Sequence, residues 1–224
     1  MPAEVNSISL SLPFKLGSVN CYLIKTHDDY ILIDTGCSNK RADLEKELVS
    51  AGCQLGHLTL IVITHGDFDH IGNAAYLRQK FGAKIAMHAD DVGMAERGDM
   101  FWNRKKGNRL YRSLVPKLFR FGTADRFQPD VIVGDGTGLT EYGFDAKVIS
   151  IPGHSKGSIS ILTSAGDLFC GDLLENAKQP AASSIVDDIP TAQASIEKLA
   201  NQDVKIVYPG HGKPFPMKLF LKKH

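Results

Sequence analysis

Hydrophobic and polar positions in the first half of the chain follow two periodicities. Period-two alternation with many β-branched residues predicts strands, and apolar positions three and four residues apart predict helices. The predicted strands are residues 5–12, 19–25, 30–36, 58–64 and 84–88. The run at 58–64 is almost continuously apolar, which is typical of a strand buried on both faces. Helices are predicted at 38–52 and 72–82, with Ser38 as the cap of the first and Gly52 at its end.

The second half of the chain repeats this order of elements. Strands are predicted at 146–153, 158–164, 167–172 and 205–212, with a turn at Ala165-Gly166. A helix is predicted at 189–202, with Pro190 in its first turn, where proline is favoured. Strands, helix, strands and helix in that order predict an α+β fold in which two sheets pack face to face with helices outside.

Length and charge narrow the class of protein. The chain has 224 residues and a net charge of +1, so we expect one domain over residues 1–224 and no nucleic-acid partner. We expect no transmembrane segment, because no apolar run approaches the roughly 20 residues that span a bilayer. The four cysteines form no CxxC pair and no secretory signal is visible, so we expect reduced thiols and a cytoplasmic protein. The oligomeric state is not indicated.

Residues 97–126 differ in composition from the rest of the chain. They hold nine basic and two acidic residues, the only tryptophan (Trp102) and four other aromatic residues. We interpret this segment, called the basic segment below, as a helical insert lying over one end of the core. A partly solvated cap is the leading interpretation, and a lid selecting anionic or amphipathic substrates, an interfacial helix contacting lipid or a dimer contact are the alternatives.

The chemistry is concentrated in the stretch THGDFDHIGN, residues 64–73, which directly follows the buried strand. His65, Asp67, Asp69 and His70 fall within six positions of one another. Alternate side chains of an extended turn can point the same way, so this short segment can serve two metal positions. Imidazole suits zinc, iron and manganese, and carboxylates add oxygen ligands that can bridge two ions.

Three further candidate ligands lie far away in sequence, each at the end of a predicted strand. His154 follows IPG, Asp172 follows FCG and His211 follows YPG. The glycine before each lets the backbone approach closely. The candidate set is therefore His65, Asp67, Asp69, His70, His154, Asp172 and His211, enough for two metals sharing one carboxylate.

With these residues the chain resembles the metallo-β-lactamase superfamily. The signature His-x-His-x-Asp-His, followed downstream by His, Asp and His, is matched in order, except that Asp67 stands where the family has histidine. The stretches ILIDTG (31–36), PGHSKGS (152–158) and CGDLL (170–174) are similar too. The resemblance implies an αβ/βα four-layer sandwich of two mixed β-sheets with the metals at one edge.

The resemblance also implies a role for each ligand. His65, Asp67 and His154 would hold the first metal, Asp69, His70 and His211 the second, and Asp172 would bridge them. Zinc, two ions per chain, is the expected cofactor, with iron or manganese favoured by a shell of three carboxylates. The other interpretation of Asp67 is catalytic, as a residue that orients or deprotonates water on a single metal.

The activity that the resemblance implies is hydrolysis of a small-molecule ester, thioester or lactone, or of a phosphoester. A metal-bound hydroxide would attack, and Asp69 would carry a proton to the leaving group. The alternatives are a mononuclear iron oxidoreductase resembling the persulfide dioxygenases, with iron on His65, His154 and Asp172, and a non-catalytic metal-binding domain.

Asp34 is the remaining candidate residue, at the end of the apolar stretch ILID. A buried carboxylate needs partners. It either orients a ligand histidine or the turn at residues 65–70, or it caps the turn at Thr35-Gly36.

Overall fold

The computed structural model describes residues 4–13, 16–104 and 109–222, and only the backbone at 109–113. The first sheet contains β1 (Glu4–Ser11), β2 (Ser18–Lys25), β3 (Tyr30–Ile33), β4 (Leu58–Val62), β5 (Lys84–His88) and β6 (Val131–Val133), in that spatial order. β1, β2 and β3 are antiparallel neighbours, whereas β3 to β6 run parallel. This sheet is therefore mixed.

The second sheet is also mixed. It contains β7 (Ala146–Ser150), β8 (Ile159–Thr163), β9 (Asp167–Phe169), β12 (Ile206–Tyr208) and β13 (Phe215–Pro216), in the spatial order β13-β12-β9-β8-β7. Only β9 and β12 pair in parallel. A separate two-stranded ladder joins β10 (Leu174–Glu175) and β11 (Ala181–Ala182).

Helices cover the outer faces of the two sheets. The described helices are α1 (Arg41–Ser50), α2 (Phe68–Ile71), α3 (Ala74–Phe81), α4 (Val92–Arg97), α5 (Arg109–Leu118), α6 (Ile189–Ala200) and α7 (Met217–Leu221). Short 3₁₀ turns lie at Ser38–Lys40, Ala89–Asp91, Thr123–Asp125 and Thr140–Tyr142. None of the helices in the described ranges is long and apolar enough to cross a membrane.

Three apolar layers separate these elements. Between the sheets, Ile31 and Val62 of the first pack with Ile161 of the second. Leu44 of α1 packs on the outer face of the first sheet, and Leu199 of α6 packs on that of the second. The order helix, sheet, sheet, helix confirms the predicted αβ/βα four-layer sandwich.

Four predicted strands end three or four residues earlier than expected. β3, β7, β9 and β12 stop at Ile33, Ser150, Phe169 and Tyr208, and the residues that follow form loops at one edge of the sandwich. Asp34 has a positive φ of 58°, which a strand cannot continue through. β6 was not predicted, because an isolated VIV is too short for a periodic pattern.

The predicted cap of the first helix is wrong. Ser38 begins a 3₁₀ turn, and α1 starts only at Arg41. The Ser38 hydroxyl instead lies within hydrogen-bonding distance of the backbone carbonyls of Phe119 (3.1 Å) and Arg120 (2.9 Å), to which it can donate its single proton. This contact connects the turn before α1 to the basic segment, and no local sequence pattern predicts it.

The basic segment contains α5 and the turn at Thr123–Asp125. Its Phe121 ring stacks on Phe68 of α2 with centroids 4.5 Å apart, and Arg97 lies 3.7 Å from the centroid of the Trp102 ring. Lys105 and Lys106 lie outside the described residues, as do the side chains of Arg109 and Arg112.

Candidate metal centre

The turn after β4 presents its four candidate residues at the edge where the loops meet. Asp67 has extended backbone angles and precedes α2, while Asp69 and His70 lie within that helix. Because the backbone changes from extended at Asp67 to helical at Asp69 and His70, the side chain of Asp67 points in a different direction from those of Asp69 and His70. All four, including His65, are buried.

The structure brings six of the seven predicted ligands into two groups. One group is His65, His154 and Asp172, and the other is Asp69, His70 and His211. Within each group the possible ligand atoms all lie within 4.8 Å of one another. We call these the first and the second triad.

Asp172 lies between the triads. Its Oδ2 is 3.2 Å from His211 Nε2 and 3.8 Å from His65 Nε2, and its Oδ1 is 3.4 Å from His70 Nε2. A carboxylate that reaches histidines of both triads is placed to bridge two ions.

Each of the four histidines has its Nδ1 occupied by a neighbour. The partners are the Thr64 hydroxyl for His65 (3.0 Å), Asp34 Oδ2 for His70 (2.8 Å), the Ile185 carbonyl for His154 (2.5 Å) and the Ser18 carbonyl for His211 (2.7 Å). Such contacts fix the ring orientation and leave Nε2 as the free ligand atom.

Asp34 supports histidines of both triads. Its Oδ2 accepts from the Thr64 hydroxyl at 2.7 Å as well as facing His70, and its Oδ1 accepts from the Thr64 amide at 2.9 Å. Because the hydroxyl has one proton and gives it to Asp34, it accepts from His65 Nδ1. Asp34 therefore contacts His70 directly and His65 through Thr64.

The donor atoms are arranged as a metal site requires. His65 Nε2, His70 Nε2 and Asp172 Oδ1 are buried without a hydrogen-bond partner, an arrangement that is costly unless something else binds these atoms. Gly210 closes the cradle, because a Cβ there would lie 2.2 Å from Asp172 Oδ1. The residues present thus fit a pair of divalent cations.

The pKa values of the buried histidines and aspartates are shifted in different directions. Burial lowers the pKa of His65, and the neighbouring His70 adds to this. Burial also disfavours the charged form of His211, but Asp172 outweighs it and raises the pKa of His211 to about 9. Burial and the neighbouring carboxylates raise the pKa of Asp69. Metal binding here would release protons.

Asp67 is paired with Arg104, which was not among the predicted site residues. The Arg104 guanidinium places Nη2 2.7 Å from Asp67 Oδ1 and donates from Nη1 to Oδ2 at 3.3 Å. Asp67 Oδ2 also lies 3.1 Å from His154 Nε2 and 3.7 Å from His65 Nε2. Although burial alone would raise it, Arg104 and His154 hold the pKa of Asp67 well below its usual range.

Several contributors to the centre were missed from sequence. Thr64 lies next to a predicted ligand and Gly210 precedes one, so their positions were the available signal. Ile185 contributes only its carbonyl, which no side-chain pattern reports. For Arg104 the signal was the combination of an unexpected aspartate and a basic segment.

Comparison with known proteins agrees with this fold. A model of the metallo-beta-lactamase superfamily matches residues 15–211. The chain belongs to the metallo-β-lactamase superfamily, as its motifs predicted.

Among its relatives, the probable metallo-hydrolase YqjP of Bacillus subtilis is 28% identical, over 94% of this chain and 72% of that protein. The hydroxyacylglutathione hydrolase GloC of Haemophilus influenzae is 30% identical, over 70% of this chain and 69% of that protein. The acyl-coenzyme A thioesterase MBLAC2 of Bos taurus is 26% identical, over 88% and 74%.

Solved structures share the fold. The superfamily protein ST1585 from Sulfolobus tokodaii superposes with a TM-score of 0.75 at 22% identity, covering 100% of this chain and 85% of that one. A di-iron-bound form of TTHA1623 superposes with a TM-score of 0.72 at 23% identity, covering 95% and 97%.

Proposed function

We propose that this protein is a metal-dependent hydrolase of a small-molecule ester or thioester, with lactones as the next substrate class. The observation that carries the proposal is the pair of largely buried triads on either side of the Asp172 carboxylate, in which His65 Nε2 and His70 Nε2 have no hydrogen-bond partner. Two relatives support thioesters, since they are named for hydrolysis of an acylglutathione and an acyl-coenzyme A.

His65, His154 and Asp172 would hold one ion and Asp69, His70 and His211 the other, with Asp172 bridging. When bound, such ions polarise the scissile group and activate water for attack. Their identity follows from the donor set only as far as zinc, iron or manganese, because imidazole and carboxylate suit all three.

Proton transfer is assigned to Asp69 rather than to Asp67. Asp69 Oδ2 lies 3.6 Å from His211 Nε2, which places this carboxylate beside the second ion, where it can pass a proton to a leaving group. The lowered pKa of Asp67, which is paired with Arg104, makes Asp67 a weak base. The two aspartates of the turn therefore have different roles.

The first test is elemental analysis of the protein with metal counted per chain, followed by hydrolysis assays on acyl-coenzyme A, S-acylglutathione, aryl ester and lactone substrates. About two ions per chain and hydrolysis that a chelator abolishes are expected. One iron per chain, with oxygen uptake on thiol substrates, would replace the proposal with the oxidoreductase alternative.

His70→Ala is the matching variant, and the exposed His57 provides its control. His70→Ala should lose metal and lower kcat by roughly 100-fold or more. His57 contacts Asp29 on the surface, so His57→Ala should keep its metal and its kcat. Equal metal content in the two variants, both folded by circular dichroism, would overturn the assignment.

A further inference from the structure

Arg104 is the one basic residue of the described part of the basic segment that lies against the metal centre. Its side chain is only 7% exposed, and its guanidinium faces both oxygens of Asp67. A buried guanidinium is stable where a carboxylate compensates its charge. Asp67 supplies that carboxylate at the position where the motif of the superfamily has a neutral imidazole.

Asn103, the residue before Arg104, is fixed to the turn at Asp90 and Asp91. Asn103 donates to the backbone carbonyl of Asp90 and, at 3.4 Å, to Asp91 Oδ1. Asp91 Oδ2 in turn accepts from the Gly66 amide at 3.0 Å, one residue before Asp67. The arginine and the aspartate are thus fixed to the same piece of backbone.

The Asp67 carboxylate contacts two different surroundings. Both of its oxygens pair with Arg104, and its Oδ2 also faces His154 and His65 of the first triad. Without the arginine, Asp67, Asp69 and Asp172 would bring three negative charges into one buried cluster. With it, the first triad meets a carboxylate oxygen whose charge is already compensated.

We propose that Asp67 and Arg104 act as one unit that replaces the usual histidine at the first metal position, with Arg104 as the positioning residue that orients Asp67 and cancels its charge. This inference rests on the proposed function, because it assumes that the first triad binds a metal. It implies that position 67 and position 104 can change only together.

The motif and the structure predict opposite effects of the substitution Asp67→His on zinc binding. From the motif, Asp67→His restores the usual ligand and should keep or strengthen zinc binding. From the structure, Asp67→His leaves the Arg104 cation buried beside the first triad, where it repels a dication. Removing that cation as well, in Asp67→His/Arg104→Met, leaves a neutral imidazole at position 67 with no buried cation beside it.

The test compares the wild type, Asp67→His, Asp67→His/Arg104→Met and the control Asp67→His/Arg97→Met. Arg97 belongs to the same segment but stacks on Trp102. Zinc per chain is measured after equilibrium dialysis against buffered zinc, and thermal unfolding in chelator shows that each variant folds. Asp67→His should fall from about two zinc ions to about one, and only the Arg104→Met addition should restore the second.

The outcomes separate this inference from the function on which it rests. Zinc in Asp67→His equal to wild type, or equal rescue by Arg97→Met and Arg104→Met, would overturn the pairing and leave the metallo-hydrolase proposal intact. Failure of Arg104→Met to rescue would do the same. A wild-type chain that binds no zinc, iron or manganese would overturn the proposed function, and the inference with it.

Discussion

The two triads of the metal centre are supported by different parts of the molecule. In the second triad, His70 is held by Asp34 after β3 and His211 by the carbonyl of Ser18 in β2, both within the sandwich. In the first, His154 is held by the Ile185 carbonyl on an exposed loop.

Asp67, which faces the first triad, also depends on a distant part of the chain, because its partner Arg104 belongs to the basic segment. His70 and His211 of the second triad are therefore supported from the sandwich, whereas the first triad, besides Thr64 and Asp34, also depends on the loop of Ile185 and on the basic segment. Loops tolerate sequence change better than strands do. The departure from the superfamily motif, at Asp67, lies on the side of the centre that the basic segment contacts.

Gly210→Ala should abolish the contrast by damaging both triads. The added Cβ would lie 2.2 Å from Asp172 Oδ1 and 2.8 Å from His70 Cε1, so the shared carboxylate must move. We expect loss of both ions and a fall in kcat/KM of roughly 100-fold or more. Elemental analysis and the substrate assay measure this. Gly134→Ala is the control, since its Cβ would meet nothing within 4 Å, and metal content equal to that control would contradict the prediction.

Asp34→Asn should weaken both triads to a smaller extent. Asparagine keeps the side-chain shape and tolerates the positive φ at this position, but the charge that orients His70 directly and His65 through Thr64 is lost. Metal affinity should fall by about 10- to 100-fold at both positions, as for other outer partners of metal ligands. Competition with a chelating dye resolves the two binding steps. Asp135→Asn, at an exposed ion pair with Lys198, should change neither, and weakening at one step alone would show that Asp34 serves a single triad.

Much of the fold was predictable because local pattern and tertiary role agree. β4 was predicted from its apolar run and β5 at its observed bounds, 84–88, since both are buried parallel strands. The six residues of the triads were predicted as candidate ligands because they occur at or after strand ends in the superfamily's order. The strand ends at Ile33 and Phe169 were not, because positive φ angles, at Asp34 and Gly171, follow them and the hydrophobic pattern does not report backbone angles.

The contacts that cross between distant segments could not be predicted. Arg104 is 37 residues from Asp67, and nothing local distinguishes it from the other cations of the basic segment. Ser38 has the sequence of a helix cap, yet its hydroxyl is taken by carbonyls 81 and 82 residues away. In both cases a tertiary partner replaces the local one, and local patterns carry no information about it.

Thr64→Val should weaken metal binding at the first triad alone, and its effect should be the smallest of the three substitutions. Valine keeps the backbone amide that donates to Asp34 and has nearly the same shape, but it lacks the hydroxyl between Asp34 and His65. The His70–Asp34 contact is left in place, so only the first metal should bind more weakly, by about tenfold. The same dye competition would show one shifted step and one unchanged step. Thr64→Ser retains the hydroxyl and should bind as the wild type does. If serine and valine weaken binding equally, the methyl group of Thr64 and its packing, rather than the hydrogen bond to His65, hold the first triad in place.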